Sequence, residues 1–217
     1  MRRLVLLRPE PGASESAARA WALGIEVVRE PLFEVAPVAW RVPDLDQFDA
    51  LLLTSANAIR HGGPRLEALR ALRVHAVGAA TAEAARNAGF AVASVGGAGV
   101  DVLLAGLPRA RLLHLSGADR RAPQAHGAHI VPLTLYRAAA IDPPTGLVER
   151  IAGAVVAVHS RRAGERLAAL VERRHDVAVV ALSADAAADV GPGWERIVVA
   201  ERPSDPALLA LAVELCL

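Results

Sequence analysis

Four short stretches of this sequence carry residue types that could do chemistry. Residues 51–57 read LLLTSAN, 77–83 read VGAATAE, 115–118 read LSGA and 155–161 read VVAVHSR. Each joins an apolar run to small hydroxyl- or glycine-bearing residues, and a helix-like stretch follows three of the four. Thr54, Ser55 and Asn57 suit a helix start, where their oxygens accept hydrogen bonds from the first free N–H groups. The same free N–H groups bind anions such as carboxylates. Capping and anion binding are both open readings there, since a ligand can fill what the side chains leave. Gly78 ends one strand and Thr81 opens the next helix, either as a plain turn or as a close backbone approach to a ligand. Ser116 and Gly117 precede Arg120 and Arg121, a further carboxylate site or a solvated loop. Tyr136 is the only tyrosine, and its phenol is either a proton donor or a surface hydroxyl.

Other chemistries find no support. All 24 basic residues are arginine, so neither a lysine Schiff base nor a P-loop lysine can form. Arginine suits bidentate carboxylate binding, although composition bias is the preferred explanation. Residues 95–102, VGGAGVDV, lack the third glycine of a dinucleotide fingerprint. His126 and His129 have metal-pair spacing but lack an evident third ligand. Ser55, Ser116 and Ser160 lie outside any Gly-x-Ser-x-Gly elbow. The single cysteine, Cys216, forms no intrachain disulfide. A net charge of +1 and the lack of a basic, aromatic surface pattern argue against nucleic acid. No apolar run reaches the roughly 20 residues of a membrane span. The N-terminal MRRLVLLRPEPG has too short an apolar part for a signal peptide, and a cytoplasmic protein is expected.

The elements that must position these residues alternate. Strands are expected at 3–8, 25–29, 49–54, 73–77, 91–95, 111–115, 129–136, 153–158, 177–182 and 196–200. Helices are expected at 13–23, 56–60 running on through 65–71, 80–88, 100–106, 162–173, 184–189 and 205–215. Such alternation predicts parallel sheets with helices on both faces. The sequence also repeats itself. Ser55 and Ser160, Gly78 and Ser183, and Leu104 and Leu209 are each 105 residues apart. Two copies of one α/β unit are therefore expected, divided near residue 107, with ligands beyond the strand carboxyl ends. Segments 31–38 and 131–139 each place proline before an extended run, which suits connector strands that pair with one another.

Together these residues resemble the uroporphyrinogen-III synthase family. The resemblance rests on Arg8-Pro9, GIEVVREPLFEV at 24–35, LLLTSANAI at 51–59, VGAATAEAARNAGF at 77–90 and VPLTLYRA at 131–138, in that order and spacing. It implies an α/β protein of two similar flavodoxin-like, parallel-sheet lobes, joined by a two-stranded linker, with a cleft between them. One lobe would be discontinuous, 1–34 plus 138–217, and the other would span 35–137, which replaces the division near 107. The implied reaction cyclises hydroxymethylbilane, a linear tetrapyrrole with eight carboxylates, to uroporphyrinogen III. Ring D is inverted and water is lost, without cofactor or metal. Tyr136 would assist hydroxyl departure. Arg8, Thr54, Ser55, Ala56, Asn57, Gly78, Ala79, Ala80, Thr81, Ser116, Gly117 and Ser160 would face the substrate. A monomer is implied, with transient contact to the upstream hydroxymethylbilane synthase. The chain departs from the family at Leu7, where threonine is frequent, at His159-Ser160-Arg161 and at Ser183-Ala184-Asp185-Ala186. Those departures leave an alternative, a diverged two-lobed binding or regulatory module for an acidic small molecule.

Overall fold

The computed structural model describes residues 1–97, 99–120 and 122–217. The chain opens with β1 (Leu4–Leu6), α1 (Gly12–Ala22), β2 (Val27–Arg29) and β3 (Phe33–Pro37). It continues through β4 (Ala50–Leu53), α2 (Asn57–Gly62), β5 (Arg73–Val77), α3 (Ala79–Asn87), β6 (Val92–Gly96), α4 (Val100–Ala105), β7 (Arg111–Gly117) and β8 (His129–Ala140). The last part holds α5 (Leu147–Ile151), β9 (Val155–Val158), α6 (Arg161–Leu170), β10 (Ala178–Ala181), α7 (Ala184–Ala187), β11 (Arg196–Val199) and α8 (Asp205–Cys216). The helix expected to run from 56 to 71 is broken. Gly63 takes φ +70°, Pro64 follows, and residues Pro64–Leu69 form a separate 3₁₀ turn. Proline lacks the N–H that a continuing helix would need.

The chain divides into two compact units, Met1–Glu34 with Ala139–Leu217 and Val35–Ala138. Unit 1 is built on a five-stranded sheet ordered β11-β10-β9-β1-β2, all parallel. Leu4, Leu6, Val155, Ala157, Ala178 and Val180 point to one face and pack against α1 and α8 through Ala17, Ala20, Leu208, Leu209 and Ala212. The strands β1, β9 and β10 are apolar on both faces and wholly buried, as a parallel sheet covered on both sides requires. The chain ends meet here, Arg2 N donating to Cys216 O at 2.9 Å.

Unit 2 is built on a six-stranded sheet ordered β3-β8-β7-β4-β5-β6. From β8 to β6 the neighbours are parallel. The connector strands β3 and β8 are neighbours, and they run antiparallel, since Val38 N reaches Leu135 O while Ile141 N reaches Leu32 O. One face carries Leu51, Leu53, Val74, Ala76, Leu113 and Leu115 under α2 and α3. The other carries Ala50, Leu52 and Leu112 against Leu103 and Leu104 of α4.

The internal repeat is structural. β4 and β9, β5 and β10, α3 and α7, and α4 and α8 each begin 105 residues apart. The repeat halves are not the compact units, however. In unit 2 the strands β7 and β8 lie beside β4, and in unit 1 that place beside β9 is taken by β1 and β2 from the other end of the chain.

Candidate active site at the strand ends

Strand order fixes where each unit can hold a ligand. In unit 1 the chain runs outward from β1 to β2 and then in the opposite direction through β9, β10 and β11. In unit 2 it runs from β4 through β5 to β6 and then back to β7 on the other side of β4. In both cases the strand order reverses at one point, between β1 and β9 in unit 1 and between β4 and β7 in unit 2, and in open α/β sheets the crevice beyond the carboxyl ends at such a point is where ligands bind.

In unit 2 the residues beyond β4 and β7 are Thr54, Ser55 and Ala118, with His114, Ser116 and Gly117 on the last turns of β7. Thr54 continues the face of Ala50 and Leu52, and the β4–β7 register sets Leu52 opposite His114 and Leu53 opposite Leu115. Thr54, His114 and Ser116 therefore share one face at the strand ends. Thr54 Oγ1 lies 3.0 Å from His114 Nε2. His114 Nδ1 and Ser116 Oγ are buried without a hydrogen-bond partner among the described residues. Burial, and then the nearby Arg120 guanidinium, lower the His114 pKa to about 4, so the ring is neutral at physiological pH. Ser55 Oγ accepts from Asn57 N at 3.2 Å, and Asn57 Oδ1 accepts from Arg60 at 3.1 Å. Ala56 is buried.

Beyond β5, Gly78 takes φ +85° and starts α3, which has no side-chain cap. Its N–H donates to Gly96 O. Ala79 and Ala80 lie in the first turn, and Thr81 is buried. Beside β7, Tyr136 stands opposite Gly117 across a bulge. A Cβ at Gly117 would come within 2.7 Å of the Tyr136 ring, so the glycine is what lets the ring lie against β7. Tyr136 is half-buried and its ring centroid is 6.1 Å from that of His61. Burial, then Arg60, lower the His61 pKa. Arg121, expected beside Arg120, lies outside the described residues.

Unit 1 fills the equivalent place differently. Arg8 Nη1 donates to Ser16 Oγ at 3.0 Å and to Asp205 Oδ1 at 3.3 Å. Ser16 Oγ donates to the same Asp205 oxygen at 2.7 Å, and Arg19 reaches the other at 2.7 Å. His159 Nε2 is 3.3 Å from Asp205 Oδ1. Although burial works to raise the Asp205 pKa, hydrogen bonds from His159, Ser16 and Arg19 and the Arg8 charge hold it well below the usual carboxylate range. Gly12 makes room for Arg8, since a Cβ there would fall 2.5 Å from Nε. Ser160 is exposed and caps α6 by accepting from Ala163 N at 3.3 Å.

The structure thus places Thr54, Ser55, Ser116 and Gly117 around the ends of β4 and β7, with Tyr136 of β8 beside the end of β7 and Gly78 beyond the neighbouring β5. Arg8 and Ser160 belong to unit 1, where Arg8 Nη1 and Ser160 Oγ have partners within the chain. Sequence reasoning missed His114, His61 and the Ser16–Arg19–Asp205 group. His114 had one signal, a lone polar residue in the apolar strand RLLHL. Among the described residues no group of three or more His, Cys, Asp or Glu could hold a metal ion.

These features define a doubly wound α/β protein built twice over, with hydroxyl, amide and glycine positions at its strand ends. The profile of the family described as uroporphyrinogen-III synthase HemD matches residues 14–210. The fold is similar to a crystal structure of uroporphyrinogen-III synthetase from Helicobacter pylori. That match has a TM-score of 0.69 and 18% identity, over 99% of this chain and 100% of that one. A mutant uroporphyrinogen III synthase from the extremely thermophilic bacterium Thermus thermophilus matches at TM-score 0.51 and 20% identity, over 97% of each chain. No curated protein sequence matches significantly. The chain belongs to the uroporphyrinogen-III synthase family, the cofactor-independent lyases that cyclise hydroxymethylbilane to uroporphyrinogen III.

Proposed function

We propose that this chain closes hydroxymethylbilane with inversion of ring D, and that Tyr136 assists departure of the hydroxyl group. The observation that carries the assignment of Tyr136 is its setting. A half-buried phenol is pressed against Gly117 at the end of β7, beside the crevice that holds Thr54 and Ser116. General-acid help there gives an electrophilic azafulvene and releases water. The substituted carbon of ring D then attacks, and the spiro intermediate fragments and recloses in the inverted sense. Cyclisation without inversion needs no enzyme, so the protein's main work is to hold one conformation and stabilise developing charge.

The carboxylates of the substrate are held chiefly by unit 2. Thr54, Ser55, Ala56 and Asn57 supply one edge, Gly78, Ala79, Ala80 and Thr81 a second, and Ser116 and Gly117 a third. Support comes from the uncapped start of α3, whose first N–H groups are open to an anion. Arg8 and Ser160 contribute from unit 1. The chain works as a cytoplasmic monomer that takes its substrate from the upstream synthase. No described helix is long and apolar enough to cross a membrane. One observation favours a binding module without catalysis, namely that Arg8 and Ser160 already have partners inside unit 1.

A coupled assay separates the readings. Hydroxymethylbilane is generated in situ, the product oxidised and the uroporphyrin isomers resolved. Type III product from the wild type, with Tyr136→Phe slower by about a hundredfold, is the expected result. Equal rates would move the proton donor elsewhere. Only type I product from folded wild-type protein would leave the binding module.

A further inference from the structure

His114 has no role in the chemistry above, and it is nearly inaccessible, at 2% exposure. Its two ring nitrogens differ sharply in surroundings. Nε2 has an oxygen partner, Thr54 Oγ1 at 3.0 Å. Nδ1 has none among the described residues, and neither does the equally buried Ser116 Oγ two residues along the same strand face. A neutral imidazole has one N–H and one bare nitrogen acceptor. Buried N–H groups are almost never left unpaired, whereas under-satisfied acceptors are tolerated more often. The hydrogen therefore belongs on the nitrogen that has an acceptor in reach. Burial and the Arg120 charge keep a second proton off the ring at physiological pH.

We propose that His114 is a positioning residue: its ring carries hydrogen on Nε2, donates it to Thr54 Oγ1, and leaves the Thr54 hydroxyl hydrogen free to point at a carboxylate of the substrate. A threonine hydroxyl normally rotates to suit either donors or acceptors. With its oxygen accepting from below, Thr54 does not spend its own hydrogen on the histidine and has it free to donate outward. A free hydroxyl hydrogen suits an anionic ligand. The geometry explains why a histidine stands inside an otherwise aliphatic strand, on the face it shares with Leu52 and Leu112. The inference rests on the reading of unit 2 as the seat of the substrate carboxylates.

The test has two arms. Long-range proton–nitrogen correlation on protein labelled with ¹⁵N in histidine reports the tautomer of His114 in the wild type at neutral pH. His114→Gln assigns the signal. The expected pattern is hydrogen on Nε2 alone, and hydrogen on Nδ1 or on both nitrogens would overturn the proposal. In the coupled assay, Thr54→Val should raise KM about tenfold, the worth of a hydrogen bond to a charged group, with kcat changed by less than about twofold. Thr54→Ser should restore KM. His114→Leu should raise KM as Thr54→Val does, and the double variant should be no worse than either, because the two act as one unit. His114→Gln, which offers an amide N–H near the Nε2 position, should stay within about threefold of wild type. An unchanged KM in His114→Leu would overturn the proposal while leaving the synthase reading intact. Failure of the wild type to make type III product would overturn the synthase reading, and the nitrogen spectrum would still report the tautomer.

Discussion

The two units answer the same sequence plan in opposite ways. Where unit 2 has Thr54, unit 1 has His159, 105 residues on. The register carries the comparison across the sheet. Leu6 pairs with Ala157 as His114 pairs with Leu52, so Arg8 occupies in unit 1 the place of Ser116 in unit 2. In unit 1 the longer side chains converge on Asp205, with only His159 Nδ1 of that cluster left buried without a partner among the described residues. In unit 2 short hydroxyls stand over a neutral histidine, and two buried polar atoms have no partner among the described residues. The helix starts repeat the contrast. Ser160, Ser183 and Ser204 cap α6, α7 and α8, each accepting from the N–H three residues on. Their counterparts α3 and α4 start at Gly78 and Gly99 without a side-chain cap, while at the start of α2 Ser55 Oγ takes only the N–H of Asn57. A helix start that binds its own serine is stable. One that does not has donors left for a ligand. On the proposed function unit 2 is mainly the receptor, and unit 1 is mainly scaffold apart from Arg8 and Ser160.

The contrast can be broken most forcefully at Asp205. Asp205→Ala leaves Arg8, Arg19, His159 and Ser16 gathered around nothing, and should cost about 3 kcal/mol in chemical denaturation. A loss under about 1 kcal/mol would mean that the cluster is surface decoration. In unit 2 the matching probe is acid. His114 stays neutral in the fold down to about pH 4, against 6.5 for a free imidazole. Between those values the unfolded chain binds the extra proton, so stability rises with pH across the window. It should fall by up to about 3 kcal/mol as pH drops from 6.5 to 4. His114→Gln should flatten that decline. Asp205 acts in a lower window. Its depressed pKa contributes stability above the ordinary carboxylate value of 3.8 and loses it as pH falls below.

Gly117→Ala sharpens the receptor side. The added methyl must displace the Tyr136 ring, and kcat should drop about tenfold with KM changed much less. The smallest effect belongs to the scaffold. Ser204→Ala should cost about 1 kcal/mol of stability and leave KM where it was, as measured by urea unfolding and the coupled assay.

Much of this was open to inspection in the sequence. The apolar runs LLLT and VVAV became the central strands, and the 105-residue offset survives in element after element. The connectors at 31–38 and 131–139 pair as their prolines suggested. Local patterns register the period of a strand and the punctuation of a turn. They do not register what lies beside what. Asp205 is 197 residues from Arg8 and 46 from His159, so no spacing could announce their meeting. His114 was visible only as an oddity, because its meaning depends on Thr54 of a neighbouring strand. The division near residue 107 failed for a related reason. A repeat shows which segments are alike, whereas the compact units depend on which strands pair, and β1 pairs with β9 rather than with its own repeat half.

That pairing has a consequence for how the protein is made. The strands β4 to β7 find their neighbours between Val35 and Ala138, so most of unit 2 can condense while the ribosome is still working on the remainder. Leu4 must wait for Val155, and Arg2 for Cys216. β1 emerges well before its partner β9, and its wholly apolar surface is exposed to chaperones or to aggregation throughout the interval.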